Sequence, residues 1–91
     1  MAASIAAQAP VRVVLTSGFS RDYTGGVKEF NIEAKTLRGV INAMNELYPG
    51  LGEHLERETM VAIDGEIQEV VYFQPLQPGC EVLFIPRIEG G

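Results

Sequence analysis

The spacing of apolar residues along this chain changes twice. Residues 11–16 (VRVVLT) alternate, with Val11, Val13 and Leu15 on one side, and are bounded by Pro10 and Ser17-Gly18, which predicts a first strand. The polar stretch 17–26 ends in Thr24-Gly25-Gly26 and reads as a long loop. Alternation resumes over residues 27–32, with Phe30 and Ile32 on the core side, so the two strands predict a hairpin. From Thr36 the period becomes helical: Leu37, Val40, Ile41, Met44 and Leu47/Tyr48 recur at one face, with Arg38, Asn42, Asn45 and Glu46 between them. The Thr36 hydroxyl suits the N-cap, and Pro49-Gly50 the stop.

Residues 51–57 are expected to add a short helical turn, after which the strand pattern returns. Residues 60–63 and 66–70 flank Asp64-Gly65, a pair suited to a type I′ turn in which both central residues take positive φ. Residues 71–79 contain Pro75 and Pro78 and read as an irregular crossover anchored by Leu76; residues 81–87 (EVLFIPR) form the final strand. The expected class is α+β: a four- to five-stranded mixed sheet with one main helix across one face. The expected division is a flexible tail at 1–10, one folded domain at 11–87 and a flexible Gly-Gly tail at 88–91. A single covering helix leaves the second sheet face open. The last strand is apolar on both sides, so Val14, Ile67, Leu83 and Ile85 share that open face, either as a partner-docking patch or as ordinary edge burial.

Composition narrows the function. A chain of 91 residues makes one domain with a small core and little room for an enclosed substrate cavity. Seven Lys and Arg against 12 Asp and Glu give a net charge of -5 with no basic cluster, which disfavours nucleic acid. No run approaches a membrane span, and residues 1–10 lack the basic and apolar regions of a secretory leader. One cysteine, Cys80, forms no internal disulfide, so a reducing cytoplasm is the simplest setting.

Catalytic constellations are missing from the sequence. One His and one Cys make no metal cluster and no triad. Gly50-Leu51-Gly52 begins a phosphate-loop pattern that Leu55 breaks, so no bound ATP or other cofactor is expected. His54 reads as a residue on a solvated face among Glu53, Glu56 and Glu58. Those acids read as a solubilising surface, with a basic partner as the alternative, and Cys80 reads as a small residue entering a strand. The terminus is left: Gly90-Gly91 directly follows a strand, and Gly91 bears the main-chain carboxylate. Two residues without Cβ can thread a narrow channel in a larger enzyme; the alternative is a frayed end without function.

With these residues in view, the sequence resembles the ubiquitin-like β-grasp sulfur carriers, the family of the molybdopterin synthase small subunit and the thiamine-pathway carrier. The resemblance runs over residues 11–91 and rests on VRVVLT, the YTGG before the second strand, TLRGVINAMNELYPGL, VAIDGE and PLQPGCEVLFIPRIEGG. Cys80 departs from the acidic residue usual at its position, and residues 70–74 are slightly long.

The resemblance implies a β-grasp fold and a carrier that is not itself an enzyme. An adenylating partner enzyme would use ATP to activate the Gly91 carboxylate, with Gly90 threading the tail. A sulfur-donor enzyme would supply persulfide sulfur, leaving a thiocarboxylate for a sulfur-accepting synthase subunit. Val14, Ile67, Leu83 and Ile85 would dock these partners, and Arg87 and Glu89 would meet charges at the channel mouth or remain solvated. Molybdenum cofactor biosynthesis is the first expected recipient. Cysteine or thiamine biosynthesis, or isopeptide modification of proteins through Gly91, are the alternatives.

Overall fold

The computed structural model describes residues 9–68 and 75–87. The tail at 1–8, residues 69–74 and residues 88–91 lie outside the described residues, and with them most of both expected tails and the end of the predicted strand at 66–70. The described elements are β1 (Val11–Leu15), α1 (Ser17–Tyr23), β2 (Glu29–Ile32), α2 (Leu37–Leu47), α3 (Leu51–Glu58), β3 (Thr59–Ile63), β4 (Glu66–Gln68) and β5 (Glu81–Pro86). The strands form one five-stranded sheet in the order β2-β1-β5-β3-β4. β1 and β5 pair in parallel at its centre, and every other pairing is antiparallel, so the sheet is mixed as expected.

Alternation sets the faces. Val11, Val13 and Leu15 are buried with Val82 and Phe84, and these meet Leu37, Val40, Ile41 and Met44 of α2, the stripe that the period of 3.6 predicts. Leu47 departs from the expected stripe, being 55% exposed, while Tyr48 packs edge-on against Phe30 at 6.0 Å. Thr36 caps α2 as expected, its Oγ1 accepting from the Gly39 N–H at 3.1 Å. Leu76 is buried and its N–H donates to the Lys35 carbonyl at 2.8 Å, which ties the crossover to the start of α2. Asp64 and Gly65 take φ of 50° and 88°, the two positive values that a type I′ turn requires.

Two expectations need correction. Residues 17–23, expected as part of a loop, are helical: Thr16 Oγ1 accepts from the Phe19 N–H at 3.4 Å, and the Ser20 hydroxyl donates to the Ser17 carbonyl at 2.9 Å. This helix has little apolar periodicity; its Phe19 is buried in the core and its Tyr23 packs partly against it. The turn expected at 51–57 is the two-turn helix α3, whose Leu51 and Leu55 are buried in the core.

The α2–α3 connection also accounts for the broken phosphate-loop pattern. Gly50 sits at φ 95°, and Asn45 Oδ1 accepts from the N–H groups of both Gly50 (3.0 Å) and Gly52 (2.9 Å). A Cβ on Gly52 would lie 3.1 Å from the Asn45 Cβ, so the position is kept small by this contact. These donors are used within the fold.

Candidate docking face and the root of the terminal segment

Because β5 lies between β1 and β3, its outward side chains have neighbours on both sides. Leu83 pairs with Val14 on β1 and with Ala62 on β3, and Ala62 pairs with Ile67 on β4. Val14, Leu83, Ala62 and Ile67 thus form one apolar row across four strands, on the face opposite α2. Ile85 and its partner Met60 form a second, shorter row beside it. Ile67 is 63% exposed, Val14, Leu83, Ile85 and Met60 are half-buried, and the small Ala62 is buried. The structure therefore brings together the four apolar residues singled out in the sequence and adds Met60 and Ala62. Their alternation is readable in residues 60–63, but their registry with β5 is not.

The rest of this face is polar. Arg12 forms an exposed ion pair with Glu29 at 3.1 Å, and Glu81 pairs with Arg12 in register. Since β1 and β5 are parallel, the polar end lies where both strands begin. The apolar rows lie toward the end where β5 hands the chain on to residues 88–91.

That exit is held by hydrogen bonds. Pro86 has no N–H to give, so the next donor is Arg87, whose N–H bonds to the Glu58 carbonyl at 2.7 Å. Its Nε donates to the Thr59 carbonyl at 3.2 Å. Arg87 is exposed, as a charge at a channel mouth would be, but it also folds back onto the α3–β3 junction. Gly90, Gly91 and Glu89 lie outside the described residues.

Beside this junction is a cluster that the sequence only half revealed. The Glu58 carboxylate accepts from the Tyr23 hydroxyl at 3.0 Å and lies 2.7 Å from His54 Nδ1. The Tyr23 and His54 rings are 4.3 Å apart, and Phe19 lies 4.6 Å beyond Tyr23. The hydrogen bonds from His54 and then Tyr23 hold the Glu58 carboxyl below the usual carboxylate range. The bond to Glu58 likewise raises the Tyr23 hydroxyl, with lesser contributions from desolvation and from the charges of Glu58 and Asp22. His54 does stand at the surface, but with a ring and a carboxylate against it. The i,i+4 spacing of His54 and Glu58 is legible in the sequence; Tyr23, 35 residues away from Glu58, is not.

The acidic surface of α3 is paired within the chain: Glu56 with Arg38 at 2.6 Å, Glu53 with Arg57 at 3.5 Å, and Glu58 with His54. That arrangement favours the solubilising reading over a basic partner. Cys80 is buried, and burial first, then the nearby Asp64 charge, push its thiol up, which suits a packing residue entering β5. Among the described residues no group of three or more His, Cys, Asp or Glu is placed to hold a metal ion. Nor is any helix there long and apolar enough to cross a membrane. A cavity of about 330 Å³ lined by Ala9, Ala34, Leu76 and Pro78 lies by the start of β1, away from the exit of β5.

A sequence profile of the ThiS family matches residues 14–91, a range that takes in both apolar rows of the open face and residues 90 and 91. The chain belongs to this family. It is a ubiquitin-like sulfur-carrier family, and the α+β architecture is its β-grasp. Solved structures agree on the fold. A chain of the Amycolatopsis orientalis BexX/CysO complex superposes with a TM-score of 0.74 at 20% identity, covering 89% of this chain and 99% of that one. Mycobacterium tuberculosis CysO, described as an antigen, gives 0.72 at 22% identity, with coverage of 86% and 99%. A chain of the complex between subunits 1 and 2 of molybdopterin-converting factor from Helicobacter pylori 26695 gives 0.63 at 22% identity, with coverage of 89% and 97%. No curated protein sequence matches the chain. Two of these three ThiS-like folds are seen in complexes with protein partners.

Proposed function

We propose that this ThiS-family chain is a cytoplasmic sulfur carrier that works at Gly91 and acts as co-substrate for larger enzymes. The observation that supports this most is the course of β5. One strand carries Leu83 and Ile85 on the open face and, two residues after Ile85, reaches the Arg87 anchor from which the terminal segment departs. A partner seated on the apolar rows would lie near Arg87, after which the chain runs on to Gly90-Gly91.

On an adenylating enzyme, a Gly91 carboxylate oxygen attacks the α-phosphorus of ATP, and pyrophosphate leaves. The terminal sulfur of a donor enzyme's persulfide then attacks the acyl carbon and releases AMP. A thiol cleaves the resulting acyl disulfide, which leaves a Gly91 thiocarboxylate and a disulfide. The thiocarboxylate is a nucleophile for an acceptor bound to a synthase subunit. Val14, Ile67, Leu83 and Ile85 supply the anchoring contacts, Arg87 meets charge at the channel mouth, and Gly90 passes the constriction.

Molybdopterin biosynthesis is the recipient we place first, a reading supported by the fold likeness to a chain of the molybdopterin-converting factor complex. The Thr24-Gly25-Gly26 segment before β2 favours cysteine synthesis as the second reading. Thiamine biosynthesis and isopeptide modification through Gly91 share the adenylation step. Offering the thiocarboxylate form to a molybdopterin synthase large subunit and to a cysteine-synthase-like enzyme separates the first two; sulfur should leave the carrier only with the cognate enzyme.

A further inference from the structure

We propose that Tyr23, His54 and Glu58 are positioning residues, a brace that fixes the root of the C-terminal segment at Arg87; their use in sulfur transfer rests on the carrier reading above. The first observation is that Glu58 is held at both ends. Its carboxylate takes the Tyr23 hydroxyl and the His54 ring nitrogen, while its carbonyl takes the Arg87 N–H. Holding the side chain therefore holds the acceptor of the Arg87 N–H, the backbone bond that directly follows β5.

The second is that Glu58 is out of place by local rules. As the last residue of α3 it sets a negative charge against the negative end of the helix dipole, where a cation is favoured. His54 and Tyr23 offset that conflict. A residue that opposes its local environment and is rescued by two partners marks a site shaped by something other than helix stability. One i,i+4 pair on an exposed helix contributes little by itself. Here a hydroxyl from α1 joins the same carboxylate, and α1 is anchored in the core through Phe19.

The third is leverage. Four residues follow Arg87, and fully extended they reach at most about 14 Å, so a change of about 30° at the root sweeps the terminus through roughly 7 Å. Finding the mouth of a channel is harder from a swinging root. Once the tail is threaded the channel itself holds the carboxylate, so the brace should act on capture of the carrier and little on turnover.

The test measures amide hydrogen exchange at Arg87 in the full chain, in Tyr23→Phe and in His54→Ala, with Val82 as an internal reference. The expected result is a roughly two- to tenfold rise in exchange at Arg87, the scale of one lost hydrogen bond, with Val82 unchanged. His54→Asn, which keeps a donor near the Nδ1 position, should restore protection. Unchanged exchange at Arg87 in both variants would overturn the proposal, as would equal rises at Arg87 and Val82, which would signal general loosening. With an activating enzyme that accepts the protein, the same variants should raise KM for the carrier several-fold and leave kcat within about twofold; a loss confined to kcat would overturn the positioning role. Hydrogen exchange reads the brace without any enzyme, so failure of the carrier reading and failure of the brace are separable.

Discussion

Leu83 on β5 and Val14 on β1 are direct register partners across the parallel pair, and both side chains lie on the sheet face that α2 leaves open. Truncating Leu83 opens the interior of the apolar row, and truncating Val14 removes its end on β1; neither removes part of the core beneath. Leu83→Ser should weaken binding to an activating enzyme by about tenfold or more, the scale of a central interface anchor, with only a small change in Tm. Lys35→Ala, by the cavity at the start of β1, should bind as the parent does. Isothermal titration of the three proteins checks this, and equal affinity of Leu83→Ser and parent would remove the docking face.

The Tyr23–Glu58 pair predicts a pH window. The Glu58 pKa is lowered in the folded state, so its contribution is present above its unfolded value and is lost as pH falls through the folded one. The Tyr23 pKa is raised, so its contribution is present below the unfolded value and is lost as pH rises through the folded one. Glu58 is exposed and Tyr23 half-buried with its hydroxyl at the surface, so the amplitude is small. The difference in Tm between the parent and Glu58→Gln should be largest between these two limits and shrink at both extremes. A difference unchanged from about pH 3 to about pH 11, beyond the ordinary ranges of both groups, would contradict the pairing.

The β3–β4 turn gives a stability test independent of function. Gly65 sits at φ 88° with nothing within 4 Å of where a Cβ would stand, so Gly65→Ala should cost about 1–2 kcal/mol through backbone conformation alone. Asp64 Oδ1 accepts from the Glu81 N–H at 2.9 Å, and Asp64→Ala should cost about 0.5–1.5 kcal/mol. Denaturant midpoints at constant m-value report both. Neutral substitutions would mean that the turn does not fix the register of β3 and β4.

Much of this fold was legible because its elements obey simple periods: the alternation of β1 and β5, the stripe of α2 and the Asp64-Gly65 turn could all be read in order. Helix α1 escaped because only Phe19 and Tyr23 mark it, and their neighbours are polar. The open-face patch was half legible. Alternation assigns Leu83 and Ile85 to one face, but only the strand order β1-β5-β3-β4 aligns them with Val14, Ala62 and Ile67. The Tyr23–Glu58 contact joins residues with no sequence relationship, and spacing along the chain carries no trace of it.

The central claim is that sulfur is carried on Gly91. Its most direct test is the mass of the intact protein after incubation with an adenylating enzyme, ATP and a persulfide donor, followed by fragmentation from the C-terminus. The account predicts exchange of one oxygen for sulfur, located on Gly91, and none when Gly91 is deleted or followed by an added residue. Sulfur located elsewhere, on Cys80 for instance, or incorporated equally well without Gly91, would contradict it.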